Sequence, residues 1–253
     1  MTDAPVIVML HEGLGSLALW KDFPRDLAAT AGLPVIAYSR FGYGDSEAPP
    51  PYAALEMHRR EALEVLPELL QHLEISRPIL FGHSDGASIA LIYAGAAPKA
   101  ISGLVLLAPH VFVEDMCLTS ISRAKETYLA SDMRQKLRRY HADPDCAFWL
   151  WNNVWLDEAF QGWNIEHVLP RIECPVLAIQ GQDDEYGTMA QLDRIARGIP
   201  QVEQLRLDHC RHSPHRDRPV AVLRATAGWM RQHPGMIIGA PLASDLSPCC
   251  GAS

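Results

Sequence analysis

Ser84 sits at the centre of Gly82-His83-Ser84-Asp85-Gly86, between the apolar run Pro78-Ile79-Leu80-Phe81 and a helical stretch from Ala87. Strand, tight turn and helix form the setting in which G-x-S-x-G acts as a nucleophile elbow. The turn forces the serine backbone into a strained conformation, and side chains at 82 and 86 would collide with the neighbouring strand and helix. The hydroxyl then projects into open space at a helix N-terminus, where the Asp85 N–H can hold a developing oxyanion. A serine hydroxyl is a poor nucleophile until a base takes its proton, and the base needs an acid to orient it. In a sheet of this kind the acid and then the base follow the serine, each just after a later strand. After Val176–Ile179 comes Gln180-Gly181-Gln182-Asp183-Asp184-Glu185, and after Val202–Leu207 comes Asp208-His209-Cys210-Arg211-His212-Ser213-Pro214-His215. Order and position fit acyl transfer. Serine at the elbow argues against dehalogenase or epoxide-hydrolase chemistry, which uses a carboxylate nucleophile. The histidine-rich stretch has no second ligand cluster to accompany it, so neither a metal nor another cofactor is expected.

These motifs resemble the α/β-hydrolase fold family, and within it the lidded serine esterases and lactonases. The resemblance runs from about Val6 to Gln232. In that family the acid commonly ends a G-x-x-D stretch, which implies Asp184 ahead of Asp183. The base commonly lies in G-H-x-P, which implies His212 ahead of His209 and His215, with Arg211 in place of the glycine. The loop His11-Glu12-Gly13-Leu14-Gly15-Ser16 resembles H-G-x-x-G-S, with Trp20 four residues further on, and implies Gly13 N–H as the second oxyanion donor. Glu12 departs from the pattern. Its carboxylate is expected to turn away and bind backbone or an arginine such as Arg40; turned inward, it would select a cationic or hydroxylated substrate. The loop Ser39–Ser46 resembles D-x-x-G-x-G-x-S, with Ser39 in place of the aspartate. The family generally has two strands before the one ending at Leu10. This chain has no room for them, so it is expected either to lack that edge hairpin or to cover the edge by other means, such as self-association or the tail.

A competing reading takes Gly13-Leu14-Gly15-Ser16-Leu17-Ala18 as the G-x-G-x-x-A dinucleotide fingerprint. The following strand then ends at Tyr38-Ser39-Arg40 without a ribose-binding acid, and the Ser84 elbow becomes coincidence. The hydrolase reading absorbs more of the chain.

Positioning these residues requires strands and helices in alternation. Strands are expected at Val6–Leu10, Val35–Tyr38, Ile79–Phe81, Leu104–Leu107, Val176–Ile179 and Val202–Leu207. Helices are expected at Trp20–Ala31, Leu55–Leu73 with a kink at Pro67, Ser84–Ala97, Met189–Arg197 and Pro219–Gln232. Such alternation gives an α/β fold with a doubly wound, mostly parallel sheet. From about Val111 to Pro170 no strand is expected. Phe148, Trp149, Trp151, Trp155, Phe160 and Trp163 crowd sixteen residues there. The segment 111–170 therefore reads as a helical lid inserted into a core of residues 1–110 and 171–233. Trp149, Trp151 and Trp155 are candidates for its substrate face, although large aromatics mostly bury area in cores. His110, which ends the strand before the lid, joins Glu12 and Leu14 as a candidate substrate contact; Glu114 and Asp115 read equally as caps.

The 253 residues are 48% hydrophobic and carry a formal charge of −8 without a basic stripe, which disfavours nucleic acid as a partner. No apolar run reaches the ~20 residues of a membrane span, and Met1–Ala4 lacks a basic leader, so a cytoplasmic protein is expected. The six cysteines form no C-x-x-C pair and read as free thiols. The segment 234–253, rich in Gly, Pro, Ala and Ser, reads as a disordered tail. The partner implied is a small to medium, largely apolar or aromatic ester or lactone, with self-association as a further possibility for the chain. An amide or C–C bond cleaved by the same triad, and a ligand-binding receptor with little turnover, are the alternatives.

Overall fold

A computed structural model describes residues 5–236 of the chain. Six strands form one sheet: β1 (Ile7–Leu10), β2 (Val35–Ala37), β3 (Ile79–His83), β4 (Gly103–Leu107), β5 (Val176–Gly181) and β6 (Glu203–Leu207). Their spatial order is β2-β1-β3-β4-β5-β6, and every neighbouring pair is parallel. The order reverses between β1 and β3, so helices must cover both faces and the crevice at the strand C-termini opens beside this switch point.

Period-two alternation assigns each strand residue to a face. Ile7, Met9, Ile79, Phe81, Val105, Leu107, Leu177 and Ile179 point to one core, where they meet Phe23 and Leu27 of α1 (Phe23–Ala31) and Trp229 and Met230 of a C-terminal helix (Pro219–Gln232). Val8, Leu10, Leu80, Leu104, Leu106, Val176 and Ala178 point to the other. There they pack against helices α2 (Met57–Arg60), α3 (Leu66–His72) and α4 (Asp85–Ala96). Eleven of the twelve α4 residues are buried, from Asp85 to Gly95, so this helix is apolar nearly all round and shows no amphipathic stripe.

The helix expected over Leu55–Leu73 runs without a gap from Ala54 to His72, but it is not α-helical throughout. Between α2 and α3 the chain opens into a wide π-turn, Glu61–Val65. Pro67, in the first turn of α3, has no N–H to donate and its ring crowds the preceding turn, which the wider turn relieves. The helix expected from Trp20 divides, into a 3₁₀ turn (Leu17–Trp20) and α1, which Pro24 opens.

The chain between β4 and β5 supplies α5 (Asp115–Ala130), α6 (Met133–Leu137) and α7 (Pro144–Trp155), then two 3₁₀ turns. Its β structure is one isolated bridge, Phe112 to Asn164. Asp143 caps α7 by accepting from Asp145 N and Cys146 N, each 3.0 Å away. After β5 the chain continues through α8 (Ala190–Gly198), and after β6 through α9 (Pro214–Asp217) and α10, the Pro219–Gln232 helix. At the far end of the sheet β2 is half-buried and pairs only with β1 among the described residues. Most of the tail, 237–253, lies outside those residues.

Candidate active site

Ser84 is the residue between β3 and α4, with φ 51° and ψ −115°. A non-glycine residue at positive φ is strained, and the surroundings hold it there. Its N–H donates to the Leu107 carbonyl (2.9 Å), and its carbonyl accepts from Ala87 and Ser88 N–H at 2.9 and 3.1 Å. A Cβ on Gly86 would strike the Leu10 carbonyl at the end of β1, so α4 can approach the sheet this closely only with glycine there.

His212 lies in the loop after β6. Its Nε2 is 2.9 Å from Ser84 Oγ, and its Nδ1 is 2.8 Å from Asp184 Oδ1. The carboxylate can only accept, so Nδ1 carries the hydrogen and Nε2 is free to accept from the serine. Asp184 lies in the loop after β5. Its carboxylate also accepts from Tyr186 N at 2.9 Å and Gln180 Nε2 at 3.2 Å. Burial raises its pKa, but His212 and the Tyr186 N–H outweigh that and leave it below the ordinary carboxylate value. Burial lowers the His212 pKa, and Asp184 more than reverses it, leaving it above the ordinary imidazole value. Asp183 is exposed. His209 is exposed too, whereas His215 is buried against Trp20 with ring centroids 4.7 Å apart.

Ser84 and His212 open onto a cavity of about 240 Å³. Gly13, Leu14 and Glu12 line one side, His110, Trp151 and Trp155 another. The Trp151 indole lies where a Cβ on Gly13 would be, so the loop and α7 close on each other only because residue 13 is glycine. Trp149, by contrast, faces a separate surface groove with the Pro49–Pro51 segment, and Lys125 lies over its ring. At i+2 from Trp151 on the N-terminal side, it points to a different side of α7. His110 keeps a buried, unpartnered Nδ1, and burial pushes its pKa down to about 4. Glu114 turns from the cavity to bind Thr188 Oγ1 at 2.6 Å and Gln191 Nε2 at 2.7 Å, joining the α5 entry to α8.

Glu12 corrects its sequence reading. The carboxylate does not bind Arg40: Oε2 lies 3.3 Å from His83 Nδ1. Arg40 takes the Glu12 main-chain carbonyl instead, from Nη2 at 3.0 Å. His83 Nε2–H in turn donates to the His212 carbonyl at 2.7 Å. A side chain from the first loop is thereby linked, through the residue before the serine, to the backbone of the histidine.

The sequence reading missed several residues around this centre. Tyr186, two residues beyond Asp184, packs on the His212 ring with centroids 4.7 Å apart. Cys117 and Ile121 of α5 complete the apolar wall. Glu185 Oε2 accepts the His212 N–H at 3.2 Å. Asp85 offers more than its amide: its buried carboxylate accepts from Trp155 Nε1 at 3.1 Å and lies 3.3 Å from His58 Nε2. Burial raises its pKa, and His58 and Arg40 bring it down to about 2. Proximity of Tyr186 to the acid was a usable sequence signal; the His58 and Arg40 contacts had none, because they come from other elements.

Residues 5–144 match the model of the alpha/beta hydrolase fold family. Serine hydrolase BPHL of Homo sapiens is 26% identical over 59% of this chain and 53% of that protein, so the chain matches about half the length of that relative. The putative carbamate hydrolase RutD of Pseudomonas savastanoi pv. phaseolicola is 29% identical over 88% of this chain and 92% of its own. The solved 2-hydroxy-6-oxo-6-phenylhexa-2,4-dienoate hydrolase of Rhodococcus superposes with a TM-score of 0.76 at 18% identity, covering 90% of this chain and 91% of that one. With the elbow after β3, and acid and histidine loops after β5 and β6, the chain belongs to the α/β-hydrolase fold family.

Proposed function

We propose that the chain is a serine hydrolase that cleaves a small carboxylic ester or lactone through an acyl-enzyme. The observation that carries this is the unbroken Ser84–His212–Asp184 chain, 2.9 and 2.8 Å, opening on an aromatic-walled cavity. His212 Nε2 takes the hydroxyl proton as Ser84 Oγ attacks the carbonyl carbon. Asp184 holds the Nδ1–H and stabilises the imidazolium that forms. The N–H groups of Gly13 and Asp85 receive the oxyanion, and His212 then returns the proton to the leaving alcohol. Water, activated by the same histidine, cleaves the acyl-enzyme.

The segment 111–170 acts as a lid in this reading, since Trp151 and Trp155 of α7 wall the cavity. At about 240 Å³ the cavity lies below the ~300–1,000 Å³ usual for drug-sized ligands, which favours a short or compact acyl group. Among the described residues the lining holds Glu12 and Glu185 but no Lys or Arg, so a substrate carboxylate would enter without a counter-charge; this favours uncharged esters and lactones over carboxylate-bearing substrates.

The test is intact mass after treatment with a fluorophosphonate. One adduct on the wild type and none on Ser84→Ala is expected, with turnover of a short-chain aryl ester lost in the variant. Folded wild-type protein that takes no adduct overturns the reading.

A further inference from the structure

The peptide that carries the Gly13 N–H has an unusual partner set at its other end. The Glu12 carbonyl accepts three hydrogen bonds: from His11 Nδ1 at 2.7 Å, Gly15 N at 3.0 Å and Arg40 Nη2 at 3.0 Å. The His11 tautomer is fixed by geometry. Its Nε2 accepts the Arg40 backbone N–H at 3.0 Å, so its hydrogen sits on Nδ1 and points to the carbonyl. Arg40 thus binds twice, holding the imidazole through its backbone and the carbonyl through its guanidinium. A carbonyl has two lone pairs, so three donors, one of them charged, load it beyond its ordinary capacity. Each donor withdraws electron density from the amide and makes its N–H a better donor, as chains of hydrogen bonds do in a low dielectric.

The same guanidinium faces the second arm of the oxyanion site. Arg40 Nη2 is 3.9 Å from Asp85 Oδ2, and both side chains are 1% exposed. Asp85 therefore does not present an unbalanced negative charge behind its own amide, where it would oppose an oxyanion. Other groups share the chamber: Arg40 Nη1 is 3.8 Å from Met57 Sδ, and its carbon Cζ lies 4.8 Å from the Tyr43 ring centre. Such a buried cation is costly unless its position serves something.

Resting on the esterase reading, we propose that Arg40 is the positioning residue of the oxyanion site, polarising the Glu12–Gly13 peptide and neutralising Asp85 behind the second donor. It touches no substrate. It acts on the tetrahedral state, where negative charge appears on oxygen, and leaves ground-state binding nearly unchanged.

The test compares Arg40→Gln, which removes the charge, with Arg40→Lys, which keeps it but loses the fork. Thermal melts identify which variants fold. In Arg40→Gln, kcat for a short aryl ester should fall roughly 10–100-fold while KM moves less than about threefold; a full donor deletion costs ~10²–10³. Arg40→Lys should recover part of that loss. An alkyl trifluoromethyl ketone, which forms an oxyanionic hemiketal with serine, supplies a readout that a scaffold role would not move. Its inhibition constant should rise by the same factor as kcat/KM falls, and fluorine resonance should show the bound hemiketal ionising at higher pH. If Arg40→Gln does not fold, Arg40→Lys carries the test, with a loss of about three- to tenfold expected in both quantities. A folded variant whose kcat and ketone affinity stay within threefold of wild type overturns the proposal, as does a rise in KM at unchanged kcat. Fluorophosphonate labelling of the wild type separates the two failures: labelled wild type with silent Arg40 variants sinks only the Arg40 role, and unlabelled wild type sinks the esterase reading beneath it.

Discussion

At the scale of residues, the site is a chain of groups whose hydrogen-bonding roles are fixed by their partners. Asp184 accepts from three donors, His212 donates on one side and accepts on the other, and the serine is the last link. Removing the base should cost most: His212→Ala is expected to lower kcat for an aryl ester by at least ~10², whereas His209→Ala leaves it unchanged. Asp184→Asn should cost far more than Asp183→Asn, because only Asp184 reaches the imidazole. Activity should fall on the acid side as His212 protonates. Since its pKa is raised, the falling limb should lie above the ordinary 6.5, and a kcat/KM profile from pH 5 to 9 reads it directly.

At the scale of elements, the site exists because the turns after β1, β3, β5 and β6 meet α5 and a second helix from the segment between β4 and β5. That helix, α7, contributes Trp151 against Gly13 and Trp155 against Asp85. Truncating Trp151 to alanine should enlarge the cavity and move the preferred acyl chain toward longer esters, checked by kcat/KM across a chain-length series. Trp155→Phe keeps the ring but leaves the buried Asp85 carboxylate one donor short; a loss of about 1–3 kcal/mol, read from denaturant melts, is expected. Gly86→Ala should be worse tolerated than either, since its methyl meets backbone rather than a side chain that can turn aside.

At the scale of the whole molecule, buried histidines dominate the response to acid. Burial lowers His11 to about 3 and His110 to about 4, and pushes His215 well below its ordinary 6.5. The unfolded chain takes these protons near pH 6.5 and the folded chain refuses them, so the unfolded state binds more protons as pH falls. Stability should therefore decline steadily from about pH 6.5 downward. Burial lowers His141 as well, and the raised pKa of His212 works in the opposite direction, as one histidine against four. Melting temperatures between pH 7.5 and 4.5 should fall, and replacing His11 or His110 with a neutral residue should flatten the curve; a flat wild-type profile would contradict the argument.

The sequence by itself determined the order of the elements and the position of the elbow. Six short β-branched or leucine-rich runs, each ended by turn residues, become six parallel strands, because alternating burial on two faces is a local property of each run. Gly82 and Gly86 around Ser84 were legible for the same reason: a strained turn leaves its mark within five residues. Tertiary structure decided what depends on chains far apart. The Glu12 carboxylate meets His83, 71 positions on, rather than Arg40, and Trp149 parts from Trp151 and Trp155 by the angle of α7. The π-turn at Glu61–Val65 arose from how the helix accommodates Pro67 while packed on α4. Arg40 and its hold on the Glu12 carbonyl could not be read from spacing, because a hydrogen bond across 28 positions depends on how β1 and β2 lie together.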